Sequence, residues 1–224
     1  VITAGLKTTV LAREAYLELP KPHFLVIYHT PEQGRKFVNR EIILMRHGQP
    51  ELAATDKISA LEMKDWIEQY DRSEITHHPV PHASMQLAST ATVIVSSSAP
   101  RALTSVQALD LKPALVAALF CEAQLPCGHW KRPRLSPFTW AFILRVLWLC
   151  GYSRNVESAG TARMRASVAA KRLQSLASDG PVLLLGHGFM NRMIANQLVA
   201  DGWVRQKRNG SQYWSATVYQ YGGV

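Results

Sequence analysis

Short apolar runs alternate with longer stretches of helical periodicity along this chain. Runs near 41–45, 92–96, 115–119, 181–185 and 214–220 have the length and content of strands, and are too short to be helices of ordinary length. Between the first two, Leu61, Met63, Trp66, Ile67 and Tyr70 recur at roughly helical spacing within Ile58 to Tyr70. Ser59 and Glu62 stand at capping-box spacing ahead of them. A further helix is expected after Pro100, and another over residues 157–178, which are rich in helix formers and end before Asp179 and Gly180. From Pro181 to Trp203 the pattern is a strand, a tight glycine turn and a helix. Strands alternating with helices predict an α/β domain.

Two regions stand apart from that rhythm. Residues 1–40 are weakly periodic, with one strand-like stretch, HFLVIYH, and read as an N-terminal extension of uncertain structure; the domain proper is expected over 41–224. At 224 residues the chain suits one sizeable domain and is short for two. Residues 123–155 lead from prolines and basic residues into an apolar helical run, as expected of an insertion that covers a site. Within it Trp140, Phe142 and Trp148 read as a buried helix face rather than a platform for stacking bases.

Charge narrows the choice of ligand. A formal net charge of +9 attracts anions, yet alone it does not distinguish a phosphorylated metabolite from nucleic acid. No apolar run reaches the roughly 18–20 residues of a membrane span, and the first residues lack a charged-then-apolar signal pattern, so a cytoplasmic protein is expected. Cys121, Cys127 and Cys150 have no C-x-x-C spacing, which argues against a disulfide framework and a thiolate metal site. His77, His78 and His82 lie in the proline-rich THHPVPH stretch without the spacing of a metal site and read as a loop. Cys121, Cys127 and His129 lack a fourth ligand.

The arginines and histidines at strand ends carry the chemistry. EIILMRHGQP, residues 41–50, runs from an apolar strand straight into Arg46, His47 and Gly48, and LLLGHGF repeats the pattern with His187. Between them VIVSSSAPRAL ends a strand in serines and places Arg101 near the start of a helix. Ligands of open α/β sheets bind at the carboxyl ends of strands. Three such ends bring two arginines and two histidines together, which makes a phosphate pocket: guanidinium forks match phosphoryl oxygens, and a neutral imidazole is a competent nucleophile toward phosphorus.

Arg46-His47-Gly48, SSSAPRA with Arg101, and Gly186-His187-Gly188, in that order, resemble the histidine phosphatase superfamily, the fold class of cofactor-dependent phosphoglycerate mutase. The resemblance spans about residues 41–220. It implies a three-layer α/β/α sandwich with a mostly parallel central sheet. It also implies that His47 is the nucleophile that becomes phosphohistidine, that Arg46 and Arg101 hold the phosphoryl oxygens, and that His187 completes the pocket and stabilises charge in transfer. Glu122 matches the family's proton-donor position, with Glu51 the alternative. Many members have a threonine and an asparagine where Pro50 and Ala53 stand here, and the usual Gln-Thr-Ala after the arginine is replaced by Thr104, Ser105 and Val106, which keeps a hydroxyl. Glu157 and Arg165 are read as structural. Lys131, Arg132 and Arg134, in the covering segment, are candidates for recognising a second anionic group of the substrate.

The resulting expectation is a metal-independent phosphatase of the phosphatase branch, acting on a small phosphomonoester, with no cofactor and with neither nucleic acid nor membrane as partner. A phosphoglycerate mutase-type phosphomutase, a phosphohistidine protein phosphatase and a non-catalytic anion-binding protein are the alternatives.

Overall fold

The computed structural model describes residues 40–52, 56–210 and 212–222. All but the last residue of the expected N-terminal extension lies outside the described residues. A six-stranded sheet is built from β1 (Glu41–Arg46), β2 (Val93–Ser97), β3 (Leu115–Ala117), β4 (Val182–Gly186), β5 (Trp203–Asn209) and β6 (Ala216–Tyr221). Its spatial order is β3-β2-β4-β1-β6-β5. The first four strands are mutually parallel, while β6 runs antiparallel to β1 and β5 antiparallel to β6. Helices cover both faces, as the α/β/α expectation requires.

Side-chain alternation along the strands explains the layering. In β1, Ile42 and Leu44 face one side and pack with the helices α5 (Ala159–Leu176) and α6 (Gly188–Ala200). Ile43 and Met45 face the other, toward α2 (His82–Ser89) and α3 (Pro100–Ala108). β4 divides in the same way, with Val182 and Leu184 on one side and Leu183 and Leu185 on the other, all of them buried. A strand buried on both faces needs apolar residues at every position, which is why these segments read as continuous runs. Each such side chain contributes about 1.5–3 kcal/mol when fully buried.

Helix boundaries follow local chemistry. Ser136 accepts the N–H of Thr139 and Ser158 that of Thr161, capping α4 (Pro137–Leu149) and α5, and Pro100 and Pro137 occupy first-turn positions where no N–H is needed. The Ser59–Glu62 capping box forms in both directions, one turn ahead of the regular helix α1 (Met63–Arg72).

The structure corrects several sequence expectations. β3 stops at Ala117, because residues 118–120 tighten into a 3-10 turn that carries Phe120 into the core. β5 was not expected: its residues from Val204 to Arg208 are exposed on the sheet edge, and charge there is what keeps an edge from pairing with other chains. The short helix α2 grows out of the histidine-proline stretch, with only Ser84 and Ala88 buried. In α4 the buried stripe is Trp140, Leu144 and Trp148, whereas Phe142 lies on the opposite side and is 70% exposed.

Where β1 and β4 end side by side, Arg46 is paired with Gly186. A Cβ at Gly186 would stand 2.4 Å from Asn191 Oδ1, and the Asn191 amide donates to the Met45 carbonyl at 3.1 Å. Gly186→Ala should therefore push Asn191 off Met45 and cost about 1–3 kcal/mol. Urea denaturation reads this as a lower midpoint at unchanged slope, and an unshifted midpoint would show that Asn191 yields freely.

Candidate active site

The carboxyl ends of β1, β2 and β4 converge on one buried corner. His47, Arg101 and His187 are each no more than 2% exposed, and the rings of His47 and His187 lie 5.1 Å apart. His47 donates from Nδ1 to the carbonyl of Gly48 at 2.6 Å. A carbonyl only accepts, so Nδ1 carries the proton and the neutral ring keeps its lone pair on Nε2. Burial, helped by the nearby guanidiniums of Arg101 and Arg46 and opposed by the Gly48 bond, pulls the His47 pKa down to about 3. Burial first, then His47 and the arginines, holds His187 well below the ordinary histidine value.

The local chain is fixed from several directions. Ser105, on α3, accepts the N–H of Gly48 at 2.9 Å and donates to the Arg101 carbonyl at 2.6 Å, so the hydroxyl kept at this position ties the turn after His47 to the helix that carries Arg101. Gly48 is needed because a Cβ would stand 2.7 Å from the Trp214 ring. Trp214 is held in the left-handed region (φ 61°), a costly conformation for a bulky residue, by its N–H to the His47 carbonyl, its carbonyl to Ser84 and its buried ring. The Ser97 hydroxyl lies 2.7 Å from His187 Nε2.

Two tyrosines face the arginines. The Arg46 guanidinium sits 4.4 Å from the centre of the Tyr213 ring, and that of Arg101 sits 4.7 Å from the centre of Tyr70. Burial, reinforced by Tyr213 and offset by the arginines, pushes the Tyr70 hydroxyl up to about 12, so it stays a neutral phenol. Arg101 spends one terminal nitrogen on the Tyr70 carbonyl (3.0 Å) and the other on Asp71 (3.2 Å). Buried and without a partner in this corner are Arg46 Nε, Arg101 Nε and His187 Nδ1. Buried donors without acceptors are costly, and a shared anionic ligand would satisfy them.

Glu122 also reaches the site cavity, after the 3-10 turn that follows β3. Oε1 accepts from Ala123 N–H (3.0 Å) and Met190 N–H (2.7 Å), while Oε2 accepts only from Phe189 N–H (3.0 Å). The carboxyl therefore sits at the N-terminus of α6 with one lone pair of Oε2 left over. Arg165 anchors the Glu122 loop by donating to the carbonyls of Leu119, Cys121 and Glu122 while pairing with Glu157, in keeping with the structural reading of both residues. Arg145 donates to the carbonyls of Ala123 and Gln124 between the rings of Trp148 and Phe189.

Other candidates fall elsewhere. Glu51 is exposed and does not line the cavity. Nor do Lys131, Arg132 and Arg134: the first two are exposed, and Arg134 is held outside by Glu62 at 3.0 Å and by the Lys57 carbonyl. The cations that do line the cavity are Arg46, Lys64, Arg101, Arg145 and Arg165. Tyr213, Trp214, Arg145 and the role of Ser97 escaped the sequence reading, because each acts through contacts between distant segments rather than through a local pattern.

Solved structures place this architecture. The open reading frame Rv3214 from Mycobacterium tuberculosis superposes with a TM-score of 0.50 at 19% identity, over 71% of this chain and 79% of that one. A mycobacterial protein described as hydrolase 1 also gives 0.50, at 17% identity over 80% and 90%. The chain shares their fold. The mycobacterial glucosyl-3-phosphoglycerate phosphatase Rv2419c gives 0.48 at 19% identity, over 72% and 80%. No family model matches this sequence, and no curated protein does. The six-stranded, mostly parallel α/β/α architecture is thus the phosphoglycerate mutase-like fold that the motif order implied.

Holding His47 neutral has a consequence for stability. In the unfolded chain the imidazole titrates near 6.5, and in the folded chain near 3. Between these values only the unfolded state binds the proton, so stability is full above about pH 6.5 and falls with acidification, by up to about 1.4 kcal/mol per pH unit. His47→Asn should lose stability less steeply between pH 6 and 4 in urea titrations run in phosphate-free buffer. Equal steepness in the two proteins would mean that His47 is not buried as a neutral ring.

Proposed function

We propose that this protein is a phosphoric monoester hydrolase that works through a phosphohistidine on His47. The observation that carries this reading is that three buried nitrogens without partners, Arg46 Nε, Arg101 Nε and His187 Nδ1, belong to the groups that surround the neutral imidazole of His47. Phosphoryl transfer asks for in-line positioning and charge stabilisation, and two guanidiniums supply both.

In the first step the Nε2 lone pair of His47 attacks phosphorus, the ester P–O bond breaks, and its electron pair leaves on the alcohol oxygen. The Nδ1–H bond to Gly48 keeps Nε2 aimed and spreads the positive charge that develops on the ring. Arg46, Arg101 and His187 hold the non-bridging oxygens, with His187 presenting Nδ1–H when Ser97 donates to its Nε2. Oε2 of Glu122, which has the lone pair to spare, is the atom that carries the proton to the leaving oxygen. In the second step the same carboxylate takes a proton from water, whose oxygen attacks phosphorus. The N–P bond breaks, its electrons return to Nε2, and inorganic phosphate leaves.

The first test is hydrolysis of an aryl phosphate in the presence of chelator, with vanadate as a competitive inhibitor that occupies the donor cup in a trigonal-bipyramidal geometry. Loss of activity on chelation with rescue by magnesium, or indifference to saturating vanadate, would overturn the proposal.

The second test separates acid from nucleophile. Glu122→Gln should slow an alkyl phosphate by roughly 10²–10⁴-fold, because its alcohol needs a proton on leaving. An activated aryl phosphate should be slowed far less in the bond-breaking step, and the acid-labile phosphoenzyme should accumulate. Equal slowing of both substrates with no trapped intermediate would remove Glu122 from the mechanism.

A further inference from the structure

The cavity that opens from the arginine corner is far larger than a phosphoryl group. It measures about 1120 Å³, against the roughly 300–1,000 Å³ of ordinary small-molecule sites. Beyond the polar corner, its walls are Trp66 and Tyr70 of α1, Leu125 of the covering loop, Phe138 and Phe142 of α4, and Phe189 of α6. Trp66 stacks on Tyr70 with ring centres 5.1 Å apart and takes the edge of Phe138 at 5.7 Å. Phe138 and Phe142 are 51% and 70% exposed, and they begin a stripe on α4 that continues through Val146 (44%) and Leu149 (47%) at helical spacing. The buried stripe of Trp140, Leu144 and Trp148 already anchors this helix, so the second stripe is not required for packing.

The charges on the cavity wall disfavour a second anion. Arg165 is paired with Glu157 and Arg101 with Asp71, while Arg145 donates to two neutral backbone carbonyls that fix its place and leave its charge. Lys64 stands exposed on the rim, on the same helix as Glu68 and Asp71, which also line the cavity. The five wall cations face four wall carboxylates, Glu68, Asp71, Glu122 and Glu157, so a bound phosphoryl dianion leaves no net positive charge to attract a carboxylate or second phosphate on the leaving group.

Building on the phosphatase reading, we propose that the substrate is the monophosphate of a large apolar alcohol. Its phosphate sits in the Arg46, Arg101 and His187 cup, and its hydrocarbon body lies between α1 and α4 against Trp66, Phe138 and Phe142. A leaving group with a second anionic charge is disfavoured.

The experiment compares kcat/KM for propyl, hexyl and decyl phosphate, each below its aggregation concentration, with 3-phosphoglycerate and phosphoserine. Each methylene buried on the cavity wall should raise kcat/KM by about three- to fourfold, and both carboxylate-bearing esters should fall below propyl phosphate. Phe142→Asp, at a largely exposed position that the fold tolerates, should flatten the dependence on chain length, and Phe138→Asp should do the same independently. A flat series in the native enzyme, or preference for 3-phosphoglycerate or phosphoserine, would overturn the apolar assignment while leaving the phosphatase reading intact. Failure to hydrolyse any of the five esters would instead bring down the phosphatase reading on which it rests.

Discussion

Positive charge crowded into a dry corner is the constraint around which this molecule is arranged. Arg46 and Arg101 are permanently charged, so the two imidazoles beside them must stay neutral, and burial enforces this on both. Neutrality is also what the nucleophilic role proposed for His47 needs. The same electrostatic penalty that would make the corner acid-labile therefore keeps the Nε2 lone pair of His47 available, while leaving three donors that an anion would satisfy.

Holding such a corner requires strong scaffolding. The parallel register places Arg46 beside Gly186 and the ends of β1, β2 and β4 in one row. Ser105 links the turn after His47 to α3, and Tyr70 and Asp71 of α1 hold Arg101. Tyr213 covers Arg46, and the left-handed Trp214 next to it is fixed by Gly48, His47 and Ser84. Strain at Trp214 is sustained because its surroundings leave it no alternative.

Much of this was legible in the sequence because it is written in local patterns. Apolar strands that stop abruptly at Arg-His-Gly and Gly-His-Gly announce both the sheet and its reactive edge, and their order supplied the fold. The Ser59–Glu62 box was readable for the same reason. Interactions between distant segments were not readable. Arg134 pairs with Glu62 and lies off the cavity wall, Phe142 lies on the second apolar stripe of a helix that has two, and β5 hides its strand character behind the arginines and lysine of an exposed edge. Tyr213 and Trp214 matter through a chain reversal that no periodicity marks.

The most direct measurement is the chemical identity of the phosphorylated nitrogen. With Nδ1 committed to the Gly48 carbonyl, the proposed mechanism places phosphorus on Nε2 of His47. Trapping the intermediate from Glu122→Gln with an aryl phosphate under alkaline quench, mapping it by mass spectrometry and assigning the nitrogen by phosphorus-nitrogen NMR coupling should give phosphate on Nε2 of His47. Phosphate on Nδ1, on His187 or on a carboxylate would contradict the arrangement described above.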